Sequence, residues 1–437
     1  MKFCKVLVSA FVFLCLLSSC EKKDSGGGNT DPIIDSDDYA YLQGKSAKRG
    51  VGFNWQSEFD IQLLQSAVCW SYNWSSNCEN EVSVLLKNYG ITYFPMAWNA
   101  NYNKASITKW VATHPESDFI LAFNEPNLKD QANMTPKQAA GYWPDLLNFA
   151  KSLNLKLTTP AMNHGTVAGY NDPIKWLDEF FSQPGVSVND VDAVAIHIYM
   201  NNVTAMMNDL TTYKKYGKKI WLTEFCSWDA ATSATQIQFM STAFNALEQD
   251  PDVERYAWFI PRGGYVTEGK PFMQLLTKTY PSSYTERGRA FMYLSTFDKS
   301  VVYPLGKRIP AEHYRACSIA EDFTSVPVAL TTDVDGMLQL DGLSPATSVD
   351  YQVAFNGESN AKFQLRYASG RDSKLDVFTV SADGSESLWF SMDAPKTGGA
   401  NYWTTIEQAV SLPNGTKVIR LRPSSGLLRV NWIKFTK

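Results

Sequence analysis

Two glutamates stand at the ends of apolar segments that are typical of buried strands. Residues 119–123 are apolar, and they lead to Asn124 and Glu125 at the point where Pro126 stops strand pairing. Residues 219–225, which read KIWLTEF, form another apolar segment that carries Glu224 close to its end. Hydrolysis of a glycosidic bond needs one protonated carboxyl group and one ionised carboxylate. The two glutamates therefore indicate glycosidase chemistry.

Strand-like and helix-like segments alternate from residue 49 to about residue 297, which is typical of a parallel sheet built from βα units. We predict helices over residues 79–88, 136–153, 173–181, 205–216, 233–248 and 284–297. The strand-like segments are RGVGFNW, AVCWSYNW, ITYFPMAW, DFILAFNE, KLTTPAMN, VDAVAIHIY, KIWLTEF and VERYAWFI. Eight such units close a (β/α)8 TIM barrel, so the predicted fold class is α/β.

The active site of such a barrel lies at the carboxyl ends of its strands. The residues at those ends are polar and aromatic, whereas core layers would consist mostly of Val, Ile and Leu. They are Asn54, Trp55, Trp98, Asn124, Glu125, Asn163, His197, Tyr199, Glu224 and Trp258. We therefore expect this set to surround a substrate.

The charge balance and the histidines exclude several classes of function. The chain has 40 basic and 44 acidic residues, a formal charge of -4, and no basic run that would follow a phosphate backbone. The sequence thus predicts no nucleic-acid partner. Its four histidines are scattered without ligand-like spacing, so we expect no metal at the active site.

The first residues are typical of a targeting segment. Residues 6–17 are apolar, follow two lysines and are too short to span a bilayer. Together with Cys20 they resemble a bacterial lipoprotein signal. The resemblance implies removal of residues 1–19, lipidation of Cys20 and attachment to a cell envelope, at the outer membrane and facing the periplasm or the exterior. An ordinary secretory signal is the alternative, and residues 20–44 are expected to be a flexible tether.

Three cysteines of the remaining chain allow simple expectations. Cys69 and Cys78 lie close in sequence in a segment expected to reach an oxidising compartment, so a disulfide between them stays open. Cys226 follows Glu224 on the same strand face, and we predict that it is a packing residue.

A second domain is expected after the α/β region, which we place at residues 45–300. From residue 308 to residue 437 the apolar segments are short, alternating and separated by turns, which predicts an antiparallel β-sandwich. The predicted strands are VDYQVAF, KFQLRYAS, KLDVFTV, TKVIRLRPS and LLRVNWIKF.

The α/β region resembles glycoside hydrolases of clan A and, within that clan, family 128. The resemblance rests on six segments in this order: RGVGFNW, WSYNW, ILAFNEPN, AIHIY, IWLTEF and YAWF. It implies a retaining enzyme that cleaves β-1,3-glucan without a cofactor. We expect endo action, and exo action stays open. Glu125 would be the acid/base and Glu224 the nucleophile. The resemblance also implies that Asn124 bonds the 2-hydroxyl of the sugar.

The same resemblance assigns roles to three further residues. His197 and Tyr199 would lie near the nucleophile, where a tyrosine hydroxyl can keep a carboxylate ionised. Trp258 would form the floor beneath the sugar at the cleavage point.

The second domain resembles a family 6 carbohydrate-binding module at its opening, RIPAEHYRA, and in its segment APKTGGANYWTT. The resemblance implies a jelly-roll sandwich with a structural calcium ion and a glycan site containing Asn431. Ala400 stands where the family commonly has Trp, which favours weak binding unless Tyr402 or Trp403 substitutes. The alternative is that Trp403 is a core residue.

The sequence therefore predicts a monomeric, lipid-anchored endo-β-1,3-glucanase. Two alternatives stay open: a surface β-glucan-binding protein without turnover, and a clan A hydrolase of another β-linked polysaccharide.

Overall fold

The computed structural model describes residues 43–76, 82–263, 268–279, 281–357 and 360–437. The predicted signal over residues 1–19, lipidation at Cys20 and most of the tether lie outside the described residues. Cys78 lies outside them as well, so its pairing with Cys69 stays a prediction.

The first part of the chain is an α/β domain in which strands and helices alternate, as predicted. Short 3-10 helices cover Ser83–Tyr89, Val188–Asp190 and Tyr213–Tyr216. The helices and strands are β1 (Arg49–Gly52), α1 (Glu58–Leu64), β2 (Trp70–Tyr72), β3 (Thr92–Tyr93), α2 (Lys104–Thr113), β4 (Phe119–Ile120), α3 (Pro136–Ser152), β5 (Lys156–Leu157), α4 (Pro173–Ser182), β6 (Ala193–Ile198), α5 (Val203–Thr212), β7 (Lys219–Phe225), α6 (Ser233–Gln249), β8 (Val253–Trp258) and α7 (Glu286–Tyr293).

The eight predicted strands are present and parallel, but their ladders do not form one closed sheet over the described residues. Six strands pair in the order β3-β2-β1-β8-β7-β6, and β4 pairs with β5 in a separate sheet. Single bridges join the two sheets on both sides: Met96 to Leu121 and Thr158 to Ala193. The long apolar segments predicted continuous ladders around Glu125. The ladder between β4 and β5 is instead only two residues long, and isolated bridges extend the pairing beyond it.

Local sequence explains where the best-defined helices begin. Thr135 caps α3 and forms a capping box with Gln138, while Pro136 occupies the first turn, where its missing N–H is not needed. Asp172 caps α4, and Pro173 occupies the first turn of α4 as Pro136 does in α3. The predicted helix over residues 205–216 is shorter and continues as a 3-10 turn after Thr212.

Alternate residues of the strands face an inner core that is unusually aromatic. It contains Trp70, Tyr72, Phe94, Met96, Phe119, Leu121, Ala161, Ala193, Ala195, Trp221 and Ala257. The rings of Phe119 and Trp221 lie 4.5 Å apart, and Trp70 and Phe94 lie 5.5 and 5.3 Å from Trp221. We call this set the inner core. Its members come from β2, β4, β6, β7 and β8 and from the segments that follow β3, β4 and β5.

The second domain is all-β and antiparallel, which confirms an all-β domain after the α/β domain. Its two main sheets have the strand orders β10-β13-β18-β15-β16 and β11-β12-β19-β14-β17, with β9 paired to β19. The strands are β9 (Arg308–Pro310), β10 (Ala316–Cys317), β11 (Val328–Leu330), β12 (Leu338–Leu343), β13 (Val349–Asn356), β14 (Ala361–Ser369), β15 (Ser373–Val380), β16 (Glu386–Ala394), β17 (Gly399–Val410), β18 (Asn414–Ser425) and β19 (Leu428–Thr436).

The two domains are joined by buried polar contacts. Tyr314 donates its hydroxyl to Asn245 Oδ1 on α6 at 2.6 Å, and Asn245 Nδ2 donates to Ser325 Oγ at 2.8 Å. Tyr314 is fully buried, and side chains of both domains belong to one continuous apolar core. The sandwich is thus packed against the α/β domain through buried apolar and polar side chains.

Among the described residues, none of the helices combines the length and the apolar character that crossing a membrane requires.

Gly50 of β1 gives the fold a stability test, because a Cβ there would lie 2.5 Å from the indole of the fully buried Trp70. Gly50→Ala should lower the free energy of unfolding by about 1–3 kcal/mol, since the inner core has no room for the methyl group. Urea unfolding followed by tryptophan fluorescence measures the change.

Gly141→Ala is the matched control, because Gly141 is exposed on α3 and a Cβ there meets nothing within 4 Å. This variant should be up to about 1 kcal/mol more stable, since alanine favours helix. Equal stability of the two variants would contradict the tight inner packing.

Candidate active site

Glu125 and Glu224 both reach the carboxyl end of the strands, but by different backbone routes. Glu224 lies within β7, whereas Glu125 follows β4 with φ of 43°, in the left-handed region. This conformation costs a non-glycine residue about 1–3 kcal/mol and is found preferentially at functional sites. The N–H of Glu125 donates to Ala161 O at 2.9 Å, which holds the turn and directs the carboxylate towards Glu224.

The two carboxylates are close and nearly dry. One oxygen of each lies within 4.8 Å of the other, and the residues are 7% and 5% exposed. Retaining glycosidases have their carboxyl groups about 5–5.5 Å apart, whereas inverting enzymes need about 6.5–9.5 Å to admit a water molecule. The geometry thus fits direct attack by one carboxylate.

Glu224 is surrounded by hydrogen-bond donors. Tyr72 donates its hydroxyl to Oε1 at 2.8 Å, Trp74 Nε1 donates to the same oxygen at 2.5 Å, and Tyr199 donates its hydroxyl to Oε2. Burial raises the pKa of Tyr72 and that of Tyr199 well above the usual value, so both hydroxyls stay protonated donors. These three side chains orient the carboxylate and stabilise its charged form.

Glu125 has a different set of partners. Asn163 Nδ2 donates to its Oε1 at 2.7 Å, and His197 Nδ1 lies 2.8 Å from the same oxygen. The other imidazole nitrogen of His197, Nε2, lies 3.4 Å from Glu224 Oε1. A single buried imidazole therefore bridges the two carboxylates.

The three titratable groups influence one another. Burial opposes charge on His197, but Glu224 and Glu125 raise its pKa above the usual value. Burial also acts to raise the pKa of Glu125, and the charge and hydrogen bond of His197 hold it below the usual range. Burial raises the pKa of Glu224, with Glu125 adding to the rise and His197, Tyr199 and Trp74 opposing it. The two carboxyl groups and the imidazole therefore titrate as one coupled cluster.

A cavity of about 580 Å³ opens above the carboxylates. Its described lining consists of Trp74, Asn124, Glu125, Leu128, Asp130, Gln131, Asn163, Tyr199, Glu224, Trp228, Phe259 and Ile260. Trp228 packs edge to face against Tyr199, with ring centroids 5.1 Å apart. Aromatic walls with amide and carboxylate groups suit a sugar, which presents both apolar ring faces and hydroxyls.

Six predicted site residues come together here: Asn124, Glu125, Asn163, His197, Tyr199 and Glu224. Asn124 donates Nδ2 to Gln131 Oε1 at 3.1 Å, and its buried Oδ1 has no hydrogen-bond partner. An acceptor of this kind fits a substrate hydroxyl.

The predicted position of Trp258 beneath the sugar is wrong. Trp258 is 0% exposed, its Nε1 donates to Met273 O at 2.9 Å, and its ring packs edge to face on Phe225. Its side chain therefore belongs to the larger hydrophobic core of the protein and not to the inner core or the cavity. Phe259 and Ile260, the next two residues, line the cavity instead.

Three other residues predicted at the site do not line the cavity. Trp55 is 3% exposed and donates Nε1 to Ser71 Oγ, so it is a core residue. Asn54 is exposed and accepts from Asn73 Nδ2 at 3.5 Å, while Trp98 is half-buried against the inner core. The strand ends lie near the site as expected, but these side chains are directed elsewhere.

Trp74, Tyr72 and Trp228 are contacts that sequence patterns did not single out. Tyr72 and Trp74 lie in the segment WSYNW, whose alternation places both side chains on one strand face with Glu224. The alternate spacing of Tyr72 and Trp74 can be read directly from the sequence. Trp228 lies in the loop after β7, where no pattern marks it.

Glu125, His197 and Glu224 also form a donor set that a divalent cation could use, since their ligand atoms lie within 4.8 Å of one another. The carboxylate oxygens, however, already accept hydrogen bonds from N–H and O–H groups, which a cation would have to displace. The arrangement is therefore better suited to proton transfer than to metal ligation.

The predicted glycan residues of the sandwich differ in their access. Asn431 is 1% exposed and donates Nδ2 to Asp333 Oδ2 and Asp335 O, both at 2.8 Å, so its predicted contact with a sugar is wrong. Trp403 lines a cavity of about 670 Å³, beside Tyr402, which is 67% exposed. A glycan site with Trp403 and without Asn431 therefore stays a prediction.

Glu312 is the sandwich carboxylate that best fits the predicted calcium ion. It is 3% exposed, its Oε2 has no hydrogen-bond partner, and burial raises its pKa to about 8. Among the described residues of the sandwich, no group of three ligand-type side chains surrounds it. Glu312 is therefore the carboxylate here that a calcium ion could use, and its raised pKa means that a proton competes for the same oxygen.

Residues 50–291 match the model of a protein family described as the glycosyl hydrolase catalytic core, which is more than half of the chain. The chain belongs to this family of glycosyl hydrolases. Residues 315–437 match the model of the family 6 carbohydrate binding module.

Two solved structures of family 128 enzymes are similar to this glycosyl hydrolase. A family 128 (subgroup II) endo-β-1,3-glucanase from Pseudomonas viridiflava is 34% identical, with 57% of this chain and 98% of that chain covered and a TM-score of 0.51. A second subgroup II enzyme, from Sorangium cellulosum, is 32% identical over 56% of this chain and 98% of its own, with a TM-score of 0.49. The predictions of a glycoside hydrolase and of a family 128 fold for its α/β domain are confirmed.

Alkali-sensitive linkage protein 1 of Schizosaccharomyces pombe is 27% identical over 234 residues, or 49% of this chain. The glycosyl hydrolase described here spans 39% of the length of that yeast protein.

Tyr199→Phe tests the donors around Glu224. Loss of the hydroxyl removes a hydrogen bond to the ionised carboxylate, which raises the pKa of Glu224, so the acidic limb of the pH profile should move to higher pH. We expect kcat to fall about 10–100-fold, as for loss of one group that orients a catalytic residue. Tyr89→Phe removes a comparable hydroxyl–glutamate bond, to Glu58 at the surface, and should leave the profile unchanged.

Dialysis against EDTA tests the cation alternative. Because the carboxylates are held by protein donors, activity on glucan should be the same before and after dialysis and after addition of Ca²⁺, Mg²⁺ or Zn²⁺. Loss of activity that one of these metals restores would instead identify Glu125, His197 and Glu224 as metal ligands.

Proposed function

We propose that this glycosyl hydrolase cleaves the β-1,3-glucosidic bonds of a glucan of the laminarin or curdlan type by a retaining, two-glutamate mechanism with endo action. The observation that carries the proposal is the pair of buried carboxylates within 4.8 Å of each other. The substrate class is supported by the 34% identity to an enzyme described as an endo-β-1,3-glucanase.

The first chemical step forms a covalent glycosyl-enzyme. An oxygen of Glu224 attacks the anomeric carbon while Glu125 gives its proton to the departing glycosidic oxygen, so the C–O bond breaks and a free sugar hydroxyl leaves. Tyr72, Trp74 and Tyr199 donate hydrogen bonds that favour the ionised form of Glu224 and orient it before the attack. The negative charge of Glu224 is neutralised as the ester bond forms, so these hydrogen bonds weaken at that point.

The second step releases the sugar with its original configuration. Glu125, now a carboxylate, takes a proton from a water molecule whose oxygen attacks the anomeric carbon, and Glu224 leaves as a carboxylate. Two inversions at one carbon give net retention. Asn163 keeps Glu125 in place through both steps, since its amide can donate a hydrogen bond to the carboxyl group in its protonated and in its ionised form.

His197 provides the proton that the first step needs. With the proton on Nδ1, the imidazolium lies between two carboxylates at 2.8 and 3.4 Å. Movement of that proton across the 2.8 Å contact leaves a neutral imidazole, protonates Glu125 and keeps Glu224 ionised. The net charge of the cluster does not change, so the acid is prepared without proton uptake from solvent.

The architecture that serves this chemistry is a (β/α)8 barrel over residues 45–300, followed by a jelly-roll sandwich over residues 308–437. The barrel is supported by eight parallel strands and by the bridges that connect its two sheets on both sides. Trp403 and the exposed Tyr402 give the sandwich an aromatic surface on which a glycan can stack.

The cellular setting follows from the N-terminal sequence alone. The apolar residues 6–17 and Cys20 support lipid anchoring to the bacterial outer membrane, where the enzyme, which we propose to be monomeric, meets extracellular or periplasmic glucan.

Reducing-end release from linear β-1,3-glucan, with β-1,4-mannan and cellulose alongside, tests the proposal on the chain from Asp38 onward. Activity should be confined to the β-1,3-glucan, and Glu224→Gln should lower kcat by roughly 10³-fold or more, because the nucleophile is removed. Glu116→Gln, at a partly exposed ion pair with Lys87, is the control and should retain full activity.

The configuration of the first product decides the mechanism. Proton NMR during early hydrolysis should show the β-anomer forming first, as retention requires. An initial α-anomer would contradict direct attack by Glu224. Binding of laminari-oligosaccharides without any release would leave a glycan-binding protein.

A further inference from the structure

A groove lies between the α/β domain and the sandwich, and it is separate from the catalytic cavity. Its volume is about 560 Å³. The described residues that line it are Asn201, Asn202, Val203, Thr204, Thr235, Gln238, Phe239, Thr242, Phe323, Thr324, Ser325, Pro327 and Asp341. We call it the interdomain groove.

The chemistry of the interdomain groove matches that of a neutral sugar chain. Most of its lining side chains end in amides or hydroxyls, the described lining includes no Lys or Arg, and Asp341 is its one carboxylate. Phe323 adds a half-buried aromatic ring. Amides and hydroxyls can pair with sugar hydroxyls, and an aromatic ring can stack on the apolar face of a pyranose.

Both domains build this groove and are fixed to each other at its edge. Thr204, in the first turn of α5, donates its hydroxyl to Asp322 O of the sandwich, and Asn245 Nδ2 donates to Ser325 Oγ at 2.8 Å. Phe323, next to Asp322, has φ of 61°, which a bulky side chain adopts at a cost in energy. The loop is therefore held in one conformation that places Phe323 at the groove.

The groove is adjacent to the catalytic cavity. Asn201 lines the groove and is two residues from Tyr199, which lines the cavity, so their Cα atoms are at most about 7 Å apart. Asn201 Oδ1 also accepts from Ser227 Oγ at 3.0 Å and from the N–H of Asp229 at 2.9 Å. These bonds flank Trp228, which lines the cavity, so a single amide supports both surfaces.

We infer that the interdomain groove is a distal binding site for the same β-1,3-glucan chain that is cleaved at Glu125 and Glu224. The inference rests on the proposed function, and it concerns how long chains are held. The Pseudomonas viridiflava enzyme aligns over 98% of its own chain and 57% of this one, so it offers no counterpart for the sandwich side of the groove. The site is thus a property of the two-domain arrangement.

Two variants and one control test the groove through the dependence of the Michaelis constant on chain length. Phe323→Gly removes the ring and suits the left-handed backbone, whereas Gln238→Trp fills the groove from the exposed face of α6. Each should raise KM for polymeric β-1,3-glucan about two- to tenfold, the value of one stacking contact. The KM for laminaritriose, which occupies at most three sugar positions around the cleavage point, should rise less than the KM for the polymer.

Asn148→Trp is the matched control, because Asn148 is an exposed amide residue on α3. It should leave KM for both substrates unchanged, and thermal melting should show that all three variants are folded. A wild-type enzyme that is active on β-1,3-glucan, with polymer KM unaffected by both groove variants, would overturn the distal site and leave the proposed function intact. A wild-type protein that is inactive on every glucan would overturn both.

Discussion

Two carboxylates within 4.8 Å of each other in a nearly dry site set the constraint on which the surrounding structure depends. Like charges at this distance repel strongly when water is excluded, so the pair persists only with compensating donors and a shared proton. Those donors come from widely separated strands: Tyr72 from β2, Asn163 from the segment after β5, and His197 from β6. Each strand must therefore keep its position for the pair to remain usable.

The inner core supplies the rigidity that this arrangement needs. Interlocked rings of Trp70, Phe94, Phe119 and Trp221 lie beneath the site, and Tyr72 stacks on Trp70 while its hydroxyl reaches Glu224. A functional group fixed by packed aromatic neighbours loses little entropy when it acts. The aromatic side chains of the inner core therefore position the catalytic groups and do not stack on the sugar.

Sequence patterns located the carboxylates because strand ends, proline and apolar runs are local features. They failed for Trp258 because a strand that is buried on both faces has no alternation to show which side chains point inward. Asn431 was misplaced because its partners Asp333 and Asp335 are remote in sequence. Strand β17 was not predicted because much of its length is exposed and polar. The sheet bridges that replace full ladders near Glu125 also depend on tertiary geometry that no local pattern encodes.

The separation of Trp74 from Glu224, 150 residues along the chain, has a consequence for biosynthesis. At about 5–20 residues per second, a ribosome completes the nucleophile roughly 8–30 s after the indole that will bind it. Until then Tyr72 and Trp74 lack their acceptor, and no shorter nascent chain contains both carboxylates. Both carboxylates therefore cannot be present before residue 224, about halfway along the 437-residue chain, has been synthesised.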